Sequence, residues 1–306
     1  MRFGHFPTTL FIGIMNEWDT MIGFTGLYKA HRRARLSKRH KKEVIEFEMN
    51  LSENLWATHY DLKYGKYRVG GYHTFMIYDS KEREIQAIHY RDRIVQHTFC
   101  DNFLTPLLDR HLIYDNAACR KNKGSHFAIK RLRRFMTEHY KNYGKNGYFI
   151  QIDVKKYFAS IDHTVLKEKL KRIVKRDDVL GLLYDIIDSY NKEEDKGLPM
   201  GNQTSQCFAL LYLSDVDRFI KERLRVKHYL RYMDDMILLC GEEKEKCAKY
   251  LEKIKEMIVR DKIYPNRKTQ ICAVKNGINF LGWHIFYGEN GKIVQKPLKQ
   301  TKKRIL

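Results

Sequence analysis

The six cysteines include no CxxC pair, so the ligand spacing of a structural zinc site is missing. Cys207 precedes Phe208 and Cys240 follows Leu239, which marks them as small buried hydrophobes kept reduced in a cytosol. No stretch comes near the roughly 18 apolar residues that a membrane-spanning helix needs, and the mean hydropathy is −0.57. The opening MRFGHFPTTLFIGIM is broken by Pro7, Thr8 and Thr9. Asn16, Glu17 and Asp19 follow where a small-residue cleavage site would stand, which argues against a secretion signal. The expectation is a cytoplasmic chain with no membrane partner. No internal repeat is visible.

Acid is the charge in short supply. Asp and Glu total 37 against 58 Lys and Arg, a net charge of +21 over 306 residues. A small-metabolite enzyme has no need of such an excess. A polyanion partner does, and nucleic acid is the commonest one. Residues 29–42 (KAHRRARLSKRHKK) hold eight Lys or Arg and two His with no acid. Residues 120–134 and the C-terminal KPLKQTKKRIL are basic as well. Spread along the chain in this way, the cations suit a groove that follows a strand better than a single patch. Hydrophobic residues at 43% and aromatics at 13% supply a sizeable core and exclude disorder of the whole chain. The length allows about two compact units.

Patterning gives a coarse map. YHTFMIY (72–78) and REIQAI (83–88) flank a turn-like DSKE and predict a hairpin. YFIQIDV (148–154) alternates as a strand. Asp162 is a plausible N-cap for an amphipathic helix, HTVLKEKLKRIV. From Thr204, apolar residues at 209, 213, 216, 220 and 224 predict a helix. The runs 228–232 and 236–240 flank Met233-Asp234-Asp235, which places the acidic pair at a hairpin tip. A helix over 244–259 and a strand over 278–287 follow. This order predicts an α+β fold with a largely antiparallel sheet.

Two carboxylate sites lie in apolar β surroundings, where an unpaired charge is costly. Asp153 ends the strand FIQI, and Asp234-Asp235 sits between YLRYM and MILLC. If the strand and the hairpin are neighbours, Asp153 and Asp234 face each other. Such a pair suits Mg²⁺, which takes few protein oxygens and leaves room for water and phosphate. Two ions about 4 Å apart would serve an in-line phosphoryl transfer.

The tetrapeptide Tyr232-Met233-Asp234-Asp235 resembles the catalytic motif of reverse transcriptases, and further motifs follow in that family's order. QIDVKKYFASIDH (151–163) resembles the first palm motif, GLPMGNQTSQ (197–206) the template and nucleotide motif, and Asn266-Arg267-Lys268-Thr269 the lysine-bearing motif. FLGW (280–283) resembles the primer grip, and SKEREIQAIHYRDRIVQH (80–97) the fingers motif. The apolar-GNxTSQ form at 200–206, with LYKAHRRAR, NAACRKNKGSHFA and LRYMDDMILL, is similar to the reverse transcriptases of diversity-generating retroelements.

The resemblance implies a right-hand polymerase with fingers over 1–146, a palm over 147–290 with an antiparallel sheet, and a short or missing thumb over 291–306. The thumb would be truncated or supplied by a partner, since Leu306 lies 23 residues beyond Trp283. It implies a bacterial or phage enzyme that copies a template-repeat RNA into cDNA and miscopies adenines. Its partners would be an RNA template, a DNA or RNA primer, dNTPs and a small basic accessory variability determinant protein. Asp153 and Asp234 would be metal ligands with the Val154 carbonyl, Asp235 a third carboxylate, and the metal two Mg²⁺ ions with Mn²⁺ as a substitute. Lys81 and Arg83 would clamp the triphosphate, and Phe158 would exclude a 2′-hydroxyl. Lys268 would protonate pyrophosphate. Met200 and Gly201 would meet the nucleotide, with Asn202, Ser205 and Gln206 completing the motif. Met200 stands where most relatives carry glutamine, and methionine offers no directional hydrogen bond. The alternatives are a retron or abortive-infection reverse transcriptase, and a non-catalytic RNA-binding relic of a polymerase.

Overall fold

The computed structural model describes residues 17–78, 82–190, 194–299 and 301–302. They fall into two compact units. One comprises the chain up to His73 together with Ala87–Leu104, and the other comprises Thr74–Gln86 with everything from Thr105.

The first unit is helical. Helices α1 (Glu17–Ile22), α2 (Phe24–Ala34), α3 (Lys42–Met49), α4 (Leu51–Lys63) and α5 (Tyr90–Phe99) are followed by a π-helical turn over Cys100–Leu104. Three of these helices turn apolar residues inward: Leu27, Ala30 and Ala34 from α2, Leu55 and Leu62 from α4, and Ile94, Val95 and Phe99 from α5. Asp92 is buried because it is satisfied. It accepts from the Tyr67 hydroxyl at 2.6 Å and the Gly70 N–H at 2.8 Å, which fastens the loop after α4. The first basic run divides here between the end of α2 and the turns that follow it.

The predicted hairpin is present as β1 (Tyr72–Tyr78) and β2 (Glu82–Ile88). Lys81 lies outside the described residues, as does the side chain of Arg83.

The second unit is built on a four-stranded antiparallel sheet in the order β4-β5-β3-β6, where β3 is Tyr148–Ile152, β4 His228–Tyr232, β5 Asp235–Cys240 and β6 Gln270–Ala273. Helices α6 (Thr105–His111), α7 (Ser125–Tyr143), α8 (Tyr157–Ser160), α9 (His163–Ile173), α10 (Asp177–Asp188), α11 (Gln203–Tyr212), α12 (Ser214–Arg218) and α13 (Lys244–Arg260) complete its helical part. Phe149, Ile150 and Ile152 of β3 are all fully buried, so this strand is covered on both faces. Asp162 caps α9 as predicted, accepting from the Val165 N–H at 3.0 Å. The helix predicted from Thr204 is jointed, running through α11 and α12 into a π-helical turn over Phe219–Arg223.

Residues 278–287 differ from the single strand expected. Leu281 and Gly282 both adopt positive φ, 47° and 84°, and fold the segment into a hairpin of β7 (Ile278–Phe280) and β8 (Trp283–Tyr287). Residues 293–297, assigned from sequence to a residual thumb, form β9 (Ile293–Pro297) and pair along β8. This three-stranded sheet shares one core with α7 and the larger sheet, in which Phe135, Met136, Phe149, Leu239, Phe280 and Ile285 meet.

Candidate active site

The two interior strands carry the carboxylates. β3 and β5 pair antiparallel from Tyr148 opposite Cys240 to Ile152 opposite Met236. The pairing ends there, and Asp153 is the next residue after β3 while Asp235 is the first residue of β5. The β4–β5 turn has only two residues, Met233 and Asp234, so Asp235 already belongs to the strand and pairs with Tyr232.

The carboxylates and Lys268 act on one another electrostatically. Burial pushes the Asp235 carboxyl up to about 7, and the negative charges of Asp234 and Asp153 push in the same direction, against the nearby Lys268 ammonium. Three carboxylates that repel one another, with one lysine at their rim, form a donor set that fits hard divalent cations.

Lys268 reaches this place through a local irregularity. β6 pairs with β3 as far as Gln151 opposite Gln270, and pairing resumes at Val154 opposite Pro265. Two more residues are spent on the 265–270 side than on β3, so Asn266–Thr269 bulges out. The bulge is closed by Thr269 N–H to the Asn266 carbonyl at 3.0 Å and by Lys268 N–H to Asn266 Oδ1 at 3.3 Å. Asn266 N–H donates to the Asp153 carbonyl at 2.6 Å, and Lys155 N–H donates to the Tyr264 carbonyl at 2.9 Å. Those bonds belong to the neighbours of Val154, so the Val154 carbonyl turns to the opposite edge, where β5 lies.

The turn bearing Asp234 is held from beneath. Met233 has φ 56°, a conformation that usually selects glycine or asparagine. Arg231 secures it: its Nη1 donates to the Met233 carbonyl at 2.8 Å. The same guanidinium, 0% exposed, forms a fork with the carboxylate of Asp217 on α12, also 0% exposed, through Nε and Nη2 at 2.8 Å each. Nη2 also reaches the Leu210 carbonyl at 2.8 Å, and the Tyr229 hydroxyl donates to Asp217 at 2.6 Å. Sequence reasoning missed this set. The signal was available, since Arg231 is a charge inside an apolar β run and Asp217 a charge beside the core residue Val216.

The other expected residues divide. Tyr157 is buried with its hydroxyl on the Ala209 carbonyl at 2.5 Å, which leaves half-buried Phe158 as the accessible ring of that pair. The Phe158 carbonyl accepts from Leu198 N–H at 2.8 Å, and the His163 ring binds the Gly197 carbonyl at 2.7 Å. The 197–206 segment is thereby tied to the strand-and-helix unit that carries Asp153. Gly201 has φ 104°, and a Cβ there would stand 3.3 Å from Ile85 of β2. Met200 is half-buried beside it, Asn202 and Ser205 are buried, and Gln206 is half-buried on α11. Among the described residues, His163, Asp188 and Asp195 also approach one another closely, but Lys167 already pairs with Asp188 at 2.7 Å.

Solved structures share this fold. Telomerase from Candida albicans, in complex with a fragment of telomeric RNA, is similar with a TM-score of 0.57 and 12% identity over 81% of this chain and 51% of that one. Apo telomerase from Candida tropicalis is similar with a TM-score of 0.53 and 15% identity over 78% and 52%. A Saccharomyces cerevisiae protein named for intron 1 of COX1/OXI3 is 23% identical over 206 residues, 65% of this chain and 23% of its own length. The chain thus spans less than a quarter of that curated relative and about half of the telomerase chains. No described helix is long and apolar enough to cross a membrane. The sequence profile of the reverse transcriptase (RNA-dependent DNA polymerase) family matches residues 78–285, more than half of the 306, and the chain belongs to that family.

Proposed function

We propose that this chain is an RNA-directed DNA polymerase of the diversity-generating retroelement type, which copies a template-repeat RNA into cDNA with low fidelity at adenines. The observation that carries the polymerase reading is the convergence of Asp153, Asp234, Asp235 and Lys268 at one end of the sheet. In the reaction a primer 3′-hydroxyl attacks the α-phosphate of a dNTP and pyrophosphate leaves. Two Mg²⁺ ions, when bound, would lower the pKa of the attacking hydroxyl and neutralise charge on the leaving oxygens. Asp153, Asp234 and the Val154 carbonyl would hold them, with Asp235 as the third carboxylate and Mn²⁺ as a substitute.

The chain's own residues position the reactants. Phe158 would stand under the sugar and exclude a 2′-hydroxyl. Met200 and Gly201 line the nascent pair, with Ile85 of the hairpin beside Gly201. Arg83 belongs to β2 of that hairpin, and it and Lys81 would clamp the triphosphate. Lys268 stands at the rim, where it can give a proton to pyrophosphate. The retroelement subtype rests on the Met200-to-Gln206 motif, and with it the low fidelity, the bacterial or phage setting and the basic accessory partner. Cytoplasmic location belongs to the same reading.

The test is primer extension on poly-rA/oligo-dT with Mg²⁺, beside an Asp234→Asn variant. Extension by the parent chain and none by the variant is expected. Extension by both, or by neither while RNA still binds, overturns the catalytic assignment. A template repeat in the DNA flanking the gene would separate the retroelement type from retron and defence types.

A further inference from the structure

The helical unit carries five aromatic rings in an unbroken line. Tyr28 stacks on Phe24 at 6.4 Å between centroids and 6° between planes. Phe24 meets Trp56 at 5.4 Å, Trp56 meets Tyr60 at 5.9 Å, and Tyr60 stacks on Tyr64 at 6.2 Å and 7°. Trp56, Tyr60 and Tyr64 recur at four-residue steps, so they occupy one stripe of α4 and its C-terminal cap. Four of the rings are open to water, Tyr28 38% exposed, Trp56 43%, Tyr60 50% and Tyr64 62%, and Phe24 between Tyr28 and Trp56 is half-buried. None of these rings forms part of the catalytic constellation.

The His59 ring flanks the line, 5.4 Å from the rings of both Trp56 and Tyr60, and cations stand at both ends. Exposed Lys29 and Arg32 are one and four residues beyond Tyr28 on α2. The Lys63 ammonium lies 5.9 Å from the Tyr64 centroid, and exposed Lys66 and Arg68 follow. Of the two acids on α4, Asp61 is paired with Arg91, which leaves Glu53 in the first turn. Rings spaced by 5.4–6.4 Å across α2 and α4 match the repeat of bases in a stretched single strand better than they match a broad protein interface. Lys and Arg at the ends complement its phosphates.

The geometry points to a stacking track for single-stranded nucleic acid along Tyr28, Phe24, Trp56, Tyr60 and Tyr64, outside the catalytic site. Bases lie against the exposed ring faces, and the terminal cations hold the backbone. The track shows no preference between RNA and DNA in its own chemistry, so template and product strand are both candidate occupants.

The test uses the full chain and its Trp56→Ala/Tyr60→Ala variant. Binding is measured by fluorescence anisotropy to uridine and thymidine oligonucleotides of about 20 residues, and to an RNA duplex of about the same length. Loss of two stacking platforms is expected to weaken single-strand binding at least about tenfold, with duplex binding changed less than about twofold. The slope of log K against log salt stays the same, because no phosphate contact is removed. The Trp56→Phe/Tyr60→Phe variant keeps the rings and restores binding. Loss with uridine alone assigns the track to RNA, and equal loss with both oligonucleotides assigns it to either strand. Unchanged single-strand affinity overturns the proposal, as does equal loss on the duplex or a Phe variant as weak as the Ala variant. Unchanged affinity with altered sedimentation would make the rings a protein-docking face instead. Binding is read without synthesis, so a failure of the polymerase reading leaves the test interpretable.

Discussion

Arg231 answers two needs with one guanidinium. It neutralises Asp217 where both side chains are fully buried, and it holds the carbonyl of Met233, a residue with positive φ next to Asp234. The two roles can be separated. Arg231→Met leaves Asp217 charged and unpaired, which is expected to cost about 3–5 kcal/mol in urea unfolding. Adding Asp217→Leu removes the stranded charge and recovers most of that stability. Extension is expected to stay depressed in the double variant, because nothing then donates to the Met233 carbonyl. Full recovery of extension along with stability would show that Arg231 serves the fold alone. Asp234→Asn behaves in the opposite way: stability and RNA affinity hold, while extension drops by more than about tenfold, or about 1.4 kcal/mol of barrier. Met200→Gln is expected to raise fidelity, most strongly opposite template adenine. A directional hydrogen bond of about 1 kcal/mol corresponds to a several-fold change in error rate. Sequencing cDNA made by both chains on one RNA template checks it, and equal error spectra would remove Met200 from the fidelity argument.

Elements were legible where local chemistry decides them. The β-rich run at 72–78 formed a strand, the alternating run at 148–154 formed one over Tyr148–Ile152, and the Asp162 cap opened α9 where expected. Asp162 also accepts from Lys262 at 2.8 Å. Burial opposes its ionisation, but Lys262 and the Val165 N–H outweigh it and hold the carboxyl below the usual aspartate value. Its stabilising effect is therefore complete above the unfolded-state pKa and fades as pH falls through the folded one. Asp162→Ala is expected to cost about 1 kcal/mol at neutral pH, and less in acid once the carboxylate is protonated. Asp162→Asn keeps the cap and loses only the ion pair. Equal stability of all three chains at neutral pH, by thermal melting, would contradict this account. The elements missed were those that distant partners decide. β6 has only four residues and is a strand because β3 lies beside it. The break at Leu281-Gly282 rests on backbone conformations that the apolar pattern INFLGWHIFY does not encode. The bulge that presents Lys268 is likewise a register slip between two pairings, which no single segment reports.

Across the whole molecule the charge excess was the most direct message of the sequence. RNA binding is expected to weaken steeply with salt, with a slope of log K against log salt near −0.7 per phosphate contact on a single strand. A flat response would detach the +21 charge from nucleic acid. The division of labour between the two units was not legible, since a compositional shift marks neither His73 nor Leu104 as a boundary. The placement of the carboxylates at the adjoining ends of β3 and β5 has a consequence for how the protein fails. Both are interior strands, each with a neighbour on either side, and Ile150 and Leu238 are fully buried. Their amides should exchange with deuterium only through global opening, whereas those of the 266–269 bulge should exchange through local fraying. On warming, catalysis should therefore fade as Lys268 loses its place, while the aspartates remain assembled on a sheet that has not yet begun to melt.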